Sequence, residues 1–291
     1  MKKILITGGA GYVGSNLIYC LINKNPELEI VSLDNYFTGK KDNHIDSDRV
    51  TYLDGNTWDI RKIFKKNDFD QIFHFGEYSR IVHSFDDIEF VHKSIILGTY
   101  EVLNFALENN SKLIYSASSS KFGNNGKDEN LSPYAFFKSK NIELIKNYRE
   151  WFGLNYEISY FFNVYGKNHI AEGKYATVIA IFENQFKLNK PLTVVGEGNQ
   201  SRDFTHIDDV CNALIKISNK NICHEYHLRY GKNYRIIDVA KQFSENITHI
   251  PVRRGERFDS EYFDSDTNKI LNWTPKIELF KYIKEFKNPN H

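Results

Sequence analysis

In Tyr134-Ala135-Phe136-Phe137-Lys138 a phenol and an ammonium stand at i and i+4, which puts both on one face if the segment is helical. A free tyrosine titrates at about 10 and is a poor base at neutral pH, but a neighbouring cation favours its phenolate. Bringing that value down to about 7 takes roughly 4 kcal/mol of differential stabilisation. Ser118 follows the β-rich run Lys112–Ala117 and precedes the turn Lys121-Phe122-Gly123. Its hydroxyl suits it to donate a hydrogen bond to a substrate oxygen that gains or loses a proton. Tyr-x-x-x-Lys is common on ordinary amphipathic helices, so these residues gain meaning only from the elements that position them.

Short β-rich runs at Lys2–Thr7, Glu29–Asp34, Val50–Asp54, Asp70–Phe75, Lys112–Ala117 and Asn155–Phe161 alternate with longer amphipathic stretches. Strands separated by helical crossovers predict a parallel, doubly wound α/β sheet whose ligand crevice lies at the carboxyl ends of the strands. Long helices are expected over Phe85–Asn109 and Tyr134–Phe152 from apolar residues at helical spacing. After about Gly166 the alternation gives way to a loop over Lys167–Lys174, a helix over Thr177–Leu188 and short segments punctuated by glycine and proline. The expected organisation is a domain over 1–166, with part of 201–235 rejoining it, and a smaller, partly interleaved α+β domain over 167–291.

Directly after the first strand comes Thr7-Gly8-Gly9-Ala10-Gly11-Tyr12-Val13-Gly14, followed by a helix-like stretch. Here Gly8 suits a tight turn, Gly11 lets the backbone approach a pyrophosphate, and Gly14 allows close packing of helix on strand. The free N–H groups and positive end of the helix favour an anion. Asp34 ends the second strand, where its carboxylate accepts hydrogen bonds from ribose hydroxyls and repels a 2′-phosphate, so the cofactor expected of this Rossmann-type turn is NAD. Asn56, in the polar loop after the third strand, is a candidate for the adenine edge. Lys40 and Lys41 read as solvated.

Thirty-eight Lys and Arg against 37 Asp and Glu leave a formal charge of +1, so no global field exists to hold a nucleic acid. No apolar run approaches the roughly 20 residues that cross a bilayer, and the opening MKKILITGG is unlike a secretory leader; no membrane association and a cytoplasmic location are expected. Cys20, Cys211 and Cys223 lack paired metal-ligand spacing and read as reduced thiols. No metal is expected: Asp203, His206 and Asp208 fit a loop entering a helix at Ile207 better than a metal cluster.

Over nearly its whole length the chain resembles the extended short-chain dehydrogenase/reductase family, in particular its NAD-dependent nucleotide-sugar epimerases and dehydratases. The resemblance rests on TGGAGYVGSNL at 7–17, LDNYFTGK at 33–40, FHFGEYSRIVHS at 73–84, SASSSKFG at 116–123, YAFFK at 134–138, FFNVYG at 161–166, GEGNQSRDFTHIDDV at 196–210 and RRGE at 253–256. It implies a catalytic triad of Ser118, Tyr134 and Lys138, and cofactor contacts from Tyr12, Val13, Asn35, Phe75, Tyr134 and Lys138 besides the glycines. It also implies Asn163, Arg202 and Arg253 near a substrate diphosphate, a carboxy-terminal domain that closes over the nucleotide, and a homodimer built on the two long helices.

Several residues depart from the family pattern. Dehydratases of the dTDP-glucose type place Asp-Glu directly after the triad hydroxyl, where this chain has Ser119 and Ser120. Glu77 stands where a small residue is usual and Lys121 where an apolar one is usual; each is either a substitute proton carrier or, respectively, a salt bridge in the wall and a lysine reaching solvent. Asn56, Tyr160 and Lys167 replace a common Asp, Arg and Pro. The function expected is a nucleoside-diphosphate-sugar 4-epimerase working through a transient 4-keto sugar. The alternatives are a 4,6-dehydratase or other 4-keto-forming enzyme and, in another class, a non-catalytic NAD-binding regulator.

Overall fold

The computed structural model describes residues 2–66, 68–123, 126–255 and 266–288. Its first half runs β1 (Lys3–Thr7), α1 (Tyr12–Lys24), β2 (Glu29–Asp34), β3 (Val50–Asp54), α2 (Ile60–Ile63), β4 (Gln71–His74), α3 (Ile88–His92), α4 (Gly98–Asn109), β5 (Lys112–Ser118), α5 (Pro133–Phe152) and β6 (Tyr156–Phe161). The second half adds β7 (Asn163–Tyr165), α6 (Val178–Lys187), β8 (Leu192–Val195), β9 (Ser201–His206), α7 (Ile207–Ser218), β10 (Glu225–Leu228), β11 (Asn233–Arg235), α8 (Ile236–Phe243), β12 (Ile247–Ile250), α9 (Thr267–Leu271) and α10 (Leu279–Lys287).

Seven strands form one parallel sheet in the order β10-β6-β5-β4-β1-β2-β3. The order reverses direction at β1 and β4, and that switch point opens a crevice at their carboxyl ends. Helices cover both faces, so strands such as β5 are buried nearly throughout. On one face Leu17, Ile18 and Leu21 of α1 meet Val210, Leu214 and Ile217 of α7; on the other Val102, Leu103 and Ala106 of α4 meet Ile142 and Ile145 of α5. Each such side chain contributes about 1.5–3 kcal/mol by leaving water. A smaller α+β layer packs Phe182, Phe243 and Ile283 around the sheet β11-β9-β7 and the pair β12-β8. Among the described residues no helix is long and apolar enough to cross a membrane.

Two local features aim the side chains at the crevice. Helix α5 starts at Pro133, capped by Ser132, whose Oγ accepts from the Ala135 N–H at 3.1 Å, and stops at Gly153 with φ +76°. Its buried stripe carries Tyr134, Lys138, Asn141 and Ile145, spaced by one turn each. The stretch 85–109 is not one regular helix: a π-helical turn, Lys93–Leu97, separates α3 from α4. That turn is held by partners distant in sequence. Asn141 Nδ2 donates to the Ile95 carbonyl at 2.9 Å, and Ser94 Oγ accepts from the Tyr78 N–H at 2.9 Å. Periodicity reports the face a helix buries and carries no trace of such a bulge.

Candidate active site

The glycine turn between β1 and α1 is built as a backbone cradle. Gly8 has φ +72°, where an L side chain is strained, and a Cβ on Gly14 would lie 2.2 Å from the Gly8 carbonyl oxygen. Asp34 closes the turn from β2: its two oxygens accept from the Ala10 N–H at 2.9 Å and the Tyr36 N–H at 2.8 Å. Burial pushes the Asp34 carboxyl above its ordinary value, against the pull of those N–H groups. A dinucleotide pyrophosphate fits this place: the glycines let strand, turn and helix N-terminus pack without side chains between them, and Gly8, Gly11 and the acid Asp34 line the same cavity.

A single cavity of about 520 Å³ runs from this turn across the switch point. Its lining includes Gly8, Gly11, Tyr12, Val13, Asp34, Asn35 and Phe75. Ser118, Tyr134 and Lys138 also line it, as do Asn163, Arg202 and Arg253. Residues separated by more than a hundred positions in sequence thus face one space. Tyr134 is 9% exposed and its hydroxyl has no hydrogen-bond partner among the described residues, so it is presented to whatever fills the cavity. Ser118 Oγ accepts from the Ser120 N–H at 3.2 Å, which leaves its own proton to donate. Asn163 Nδ2 donates to the Asp203 carbonyl at 3.0 Å, and Arg202 to the Ser201 carbonyl at 2.7 Å.

Two sequence candidates lie elsewhere. Asn56 does not line the cavity; its Oδ1 accepts from Asn35 Nδ2 at 2.9 Å, so it supports a residue that does. Lys121 also stands outside the cavity wall and acts on Glu225, which, although partly buried, is held below the usual carboxylate range by Lys146 and Tyr160 with help from Lys121. Glu256, the last residue of the RRGE run, lies outside the described residues. Asp203 pins the following turn by accepting from Arg229 Nε at 2.9 Å and from the N–H groups of Tyr230 and Gly231 at 3.0 and 2.9 Å. Among the described residues no three or more His, Cys, Asp or Glu cluster as metal ligands.

Glu77 and Lys138, both in the cavity wall, belong to a buried network of which sequence reading located only these two members. The Glu77 side chain is 2% exposed; its Oε2 pairs with Lys138 Nζ, and its Oε1 accepts from Thr99 Oγ1 at 2.5 Å, Asn141 Nδ2 at 3.1 Å and Tyr115 OH at 3.2 Å. Lys138 Nζ also donates to the Ser116 carbonyl. His74 sits behind this cluster, its Nε2 3.1 Å from Thr99 Oγ1 and its Nδ1 2.7 Å from Thr7 Oγ1. With the Thr99 hydroxyl given to Glu77, His74 Nε2 carries the ring proton and Nδ1 accepts from Thr7. Burial, seconded by Lys138 and opposed by Glu77, lowers the His74 pKa to about 4, so the ring is neutral. Burial likewise keeps the Tyr115 phenol protonated. Single-sequence reasoning missed His74, Thr99, Tyr115 and Asn141, because no local spacing joins residues from four elements. It also missed Arg80, a cavity-lining guanidinium that donates to the backbone carbonyls of Tyr175 and Ser79.

A doubly wound parallel sheet with a glycine turn and an open crevice at its switch point is the arrangement of dinucleotide-binding α/β proteins. A model of the NAD dependent epimerase/dehydratase family matches residues 4–226, and the chain belongs to that family. A Methanocaldococcus jannaschii protein named "Putative UDP-glucose 4-epimerase" is 29% identical, over 98% of this chain and 97% of its own length. UDP-glucuronic acid decarboxylase 1 of Arabidopsis thaliana is 26% identical over 98% of this chain and 70% of its own. The solved UDP-N-acetylglucosamine 4-epimerase of Methanobrevibacter ruminantium M1 superposes with a TM-score of 0.87 at 24% identity, covering 99% of each chain, a likeness of fold. NAD is the cofactor of this family and of this chain.

Proposed function

We propose that this chain is a nucleoside-diphosphate-sugar 4-epimerase that passes through a transient 4-keto sugar. The observation that carries the reading is the one cavity lined together by the glycine cradle, by Ser118, Tyr134 and Lys138, and by Asn163, Arg202 and Arg253. The name of the Methanocaldococcus relative supports it.

Tyr134 takes the proton of the sugar C4 hydroxyl, and Ser118 donates a hydrogen bond to the same oxygen as its charge develops. Bound NAD supplies a hydride acceptor, and then a donor, at sugar carbon 4. Arg202 and Arg253 hold the diphosphate with charge-assisted bonds and Asn163 adds a polar contact, so the hexose turns over while its nucleotide stays anchored. Tyr134 then returns the proton to the oxygen on the inverted carbon, and no net oxidation remains. Ser119 and Ser120 cannot ionise as an acid–base pair, which favours epimerisation over loss of water. The decisive experiment incubates the protein and its Tyr134→Phe variant with UDP-, GDP-, CDP- and dTDP-sugars. An epimer of unchanged mass is expected from the parent. The variant loses at least about a hundredfold in turnover while it still binds NAD and nucleotide, the size typical of a lost acid–base group. A product lighter by one water, or near-normal turnover without the phenol, defeats the assignment.

The exposed Leu97 and Tyr100 of the α3–α4 arm and Phe136, Trp151 and Phe152 of α5 further support a homodimer joined through these helices.

A further inference from the structure

We propose that Glu77 is the counterion of Lys138: it fixes where the ammonium sits and cancels its charge, so that Tyr134 faces a balanced ion pair instead of a bare cation. This rests on the reading of Tyr134 as the proton acceptor and assigns Glu77 as a positioning residue, acting through Lys138. The carboxylate is 2% exposed and saturated: one oxygen faces Lys138, the other accepts from Thr99, Asn141 and Tyr115. Lys138 stands four residues after Tyr134 on the same buried stripe, and the Ser116 carbonyl takes a further ammonium proton. A buried ammonium held by a carbonyl alone would be costly, and a buried carboxylate without it equally so. Each therefore needs the other, and the pair is anchored by three hydrogen bonds from β5, α4 and α5.

Other groups around the pair do not change its balance. From β4, His74 is neutral down to about pH 4; from β5, burial keeps Tyr115 protonated. Arg80, on the loop after β4, lines the same cavity as Tyr134, as do Lys174, Arg202 and Arg253; it has no carboxylate partner among the described residues and stays charged, and all four cations are common to the parent and the variants compared below. Among the described residues Glu77 is the carboxylate paired with Lys138, and removing its charge alone leaves a net positive site beside the phenol.

The test is tyrosinate absorbance of the NAD-free protein during alkaline titration, with each variant compared to its own Tyr134→Phe partner so that the difference isolates one phenol. Glu77→Gln lowers that midpoint by about one pH unit, the order of shift a neighbouring unpaired cation produces, and the acid limb of kcat/KM with the turned-over sugar moves the same way. Lys138→Met raises the midpoint, and Glu77→Gln/Lys138→Met restores it to within about half a unit of the parent, a pairwise coupling that simple loss of packing would not produce. Should Glu77→Gln fail to fold, the step from Lys138→Met to the double variant measures the same charge and lowers the midpoint equally. A midpoint that is unmoved or raised when the carboxylate is removed overturns the proposal. Absence of turnover with every sugar would instead overturn the epimerase reading, and the phenol titration still decides the role of Glu77.

Discussion

Acid should unfold this protein through two histidines. His74 and His227 are buried, and burial is the first cause that lowers each from 6.5 to about 4. The unfolded chain therefore binds protons between about pH 6.5 and 4 that the fold refuses, and stability falls as pH drops through that window. For His74 the shift from 6.5 to about 4 amounts to about 3 kcal/mol below both values, of which about 2 kcal/mol is gone by about pH 5. Protonation also replaces the acceptor at Nδ1 with a donor. Thr7 Oγ1 would then have to turn away while it still holds the N–H groups of Phe75 and Gly76, at 3.2 and 3.0 Å. Urea midpoints measured across pH, for the parent and His74→Gln, read the effect. The glutamine amide keeps a donor toward Thr99 and cannot titrate. The variant should be the less stable protein at about pH 7.5, with the gap closing by about 2 kcal/mol at about pH 5. Carboxylates elsewhere cancel in that comparison. A gap that stays constant across the range would refute the reasoning, since it would mean that folded His74 titrates like an unfolded one.

Gly14→Ala places a methyl group 2.2 Å from the Gly8 carbonyl oxygen and 2.7 Å from the Gly9 Cα, both backbone atoms that cannot swing aside. Helix α1 must move off the turn, and NAD affinity by calorimetry should fall at least about tenfold, a loss of about 1.4 kcal/mol; unchanged affinity would show that the cradle is not where the pyrophosphate sits. Light scattering should give twice the chain mass at micromolar concentration, with Trp151→Glu shifting it toward the monomer, and a monomeric parent would remove the helix-face dimer.

The first turn was readable because its demands are local. Gly8 and Gly14 are separated by six residues, and the reasons for them, a positive φ and a closely packed carbonyl, act within one strand-turn-helix unit. The six β-rich runs were readable for a related reason: a parallel sheet covered on both faces writes each strand as a short apolar run. The π-helical turn at Lys93–Leu97 left no such mark, since what stabilises it is Asn141, 46 residues after Ile95. Asn56 illustrates an intermediate case. Its loop was placed correctly after β3, but which of two neighbouring asparagines faces the cavity depends on a side-chain pair, Asn35 with Asn56, that sequence order does not encode.

Glu77 shows how chemistry that is visible residue by residue becomes legible only through topology. In sequence it is an acid where a small residue would be expected, equally suited to carry a proton or to anchor a wall. The sheet order resolves part of that choice: β4 lies between β1 and β5, so the loop after β4 must pass under α5, where Lys138 points inward. Its second oxygen is already committed to Thr99, Asn141 and Tyr115. Although Glu77 borders the cavity, both its oxygens are engaged within the wall, one by Lys138 and the other by three donors, which suits it to hold a charge still rather than to shuttle protons to a substrate. The same chain of contacts reaches through Thr99 and His74 to Thr7, at the base of the glycine cradle. The cofactor turn and the lysine of the reactive pair are thus fixed by one buried network, and a disturbance of His74 should be felt at both ends.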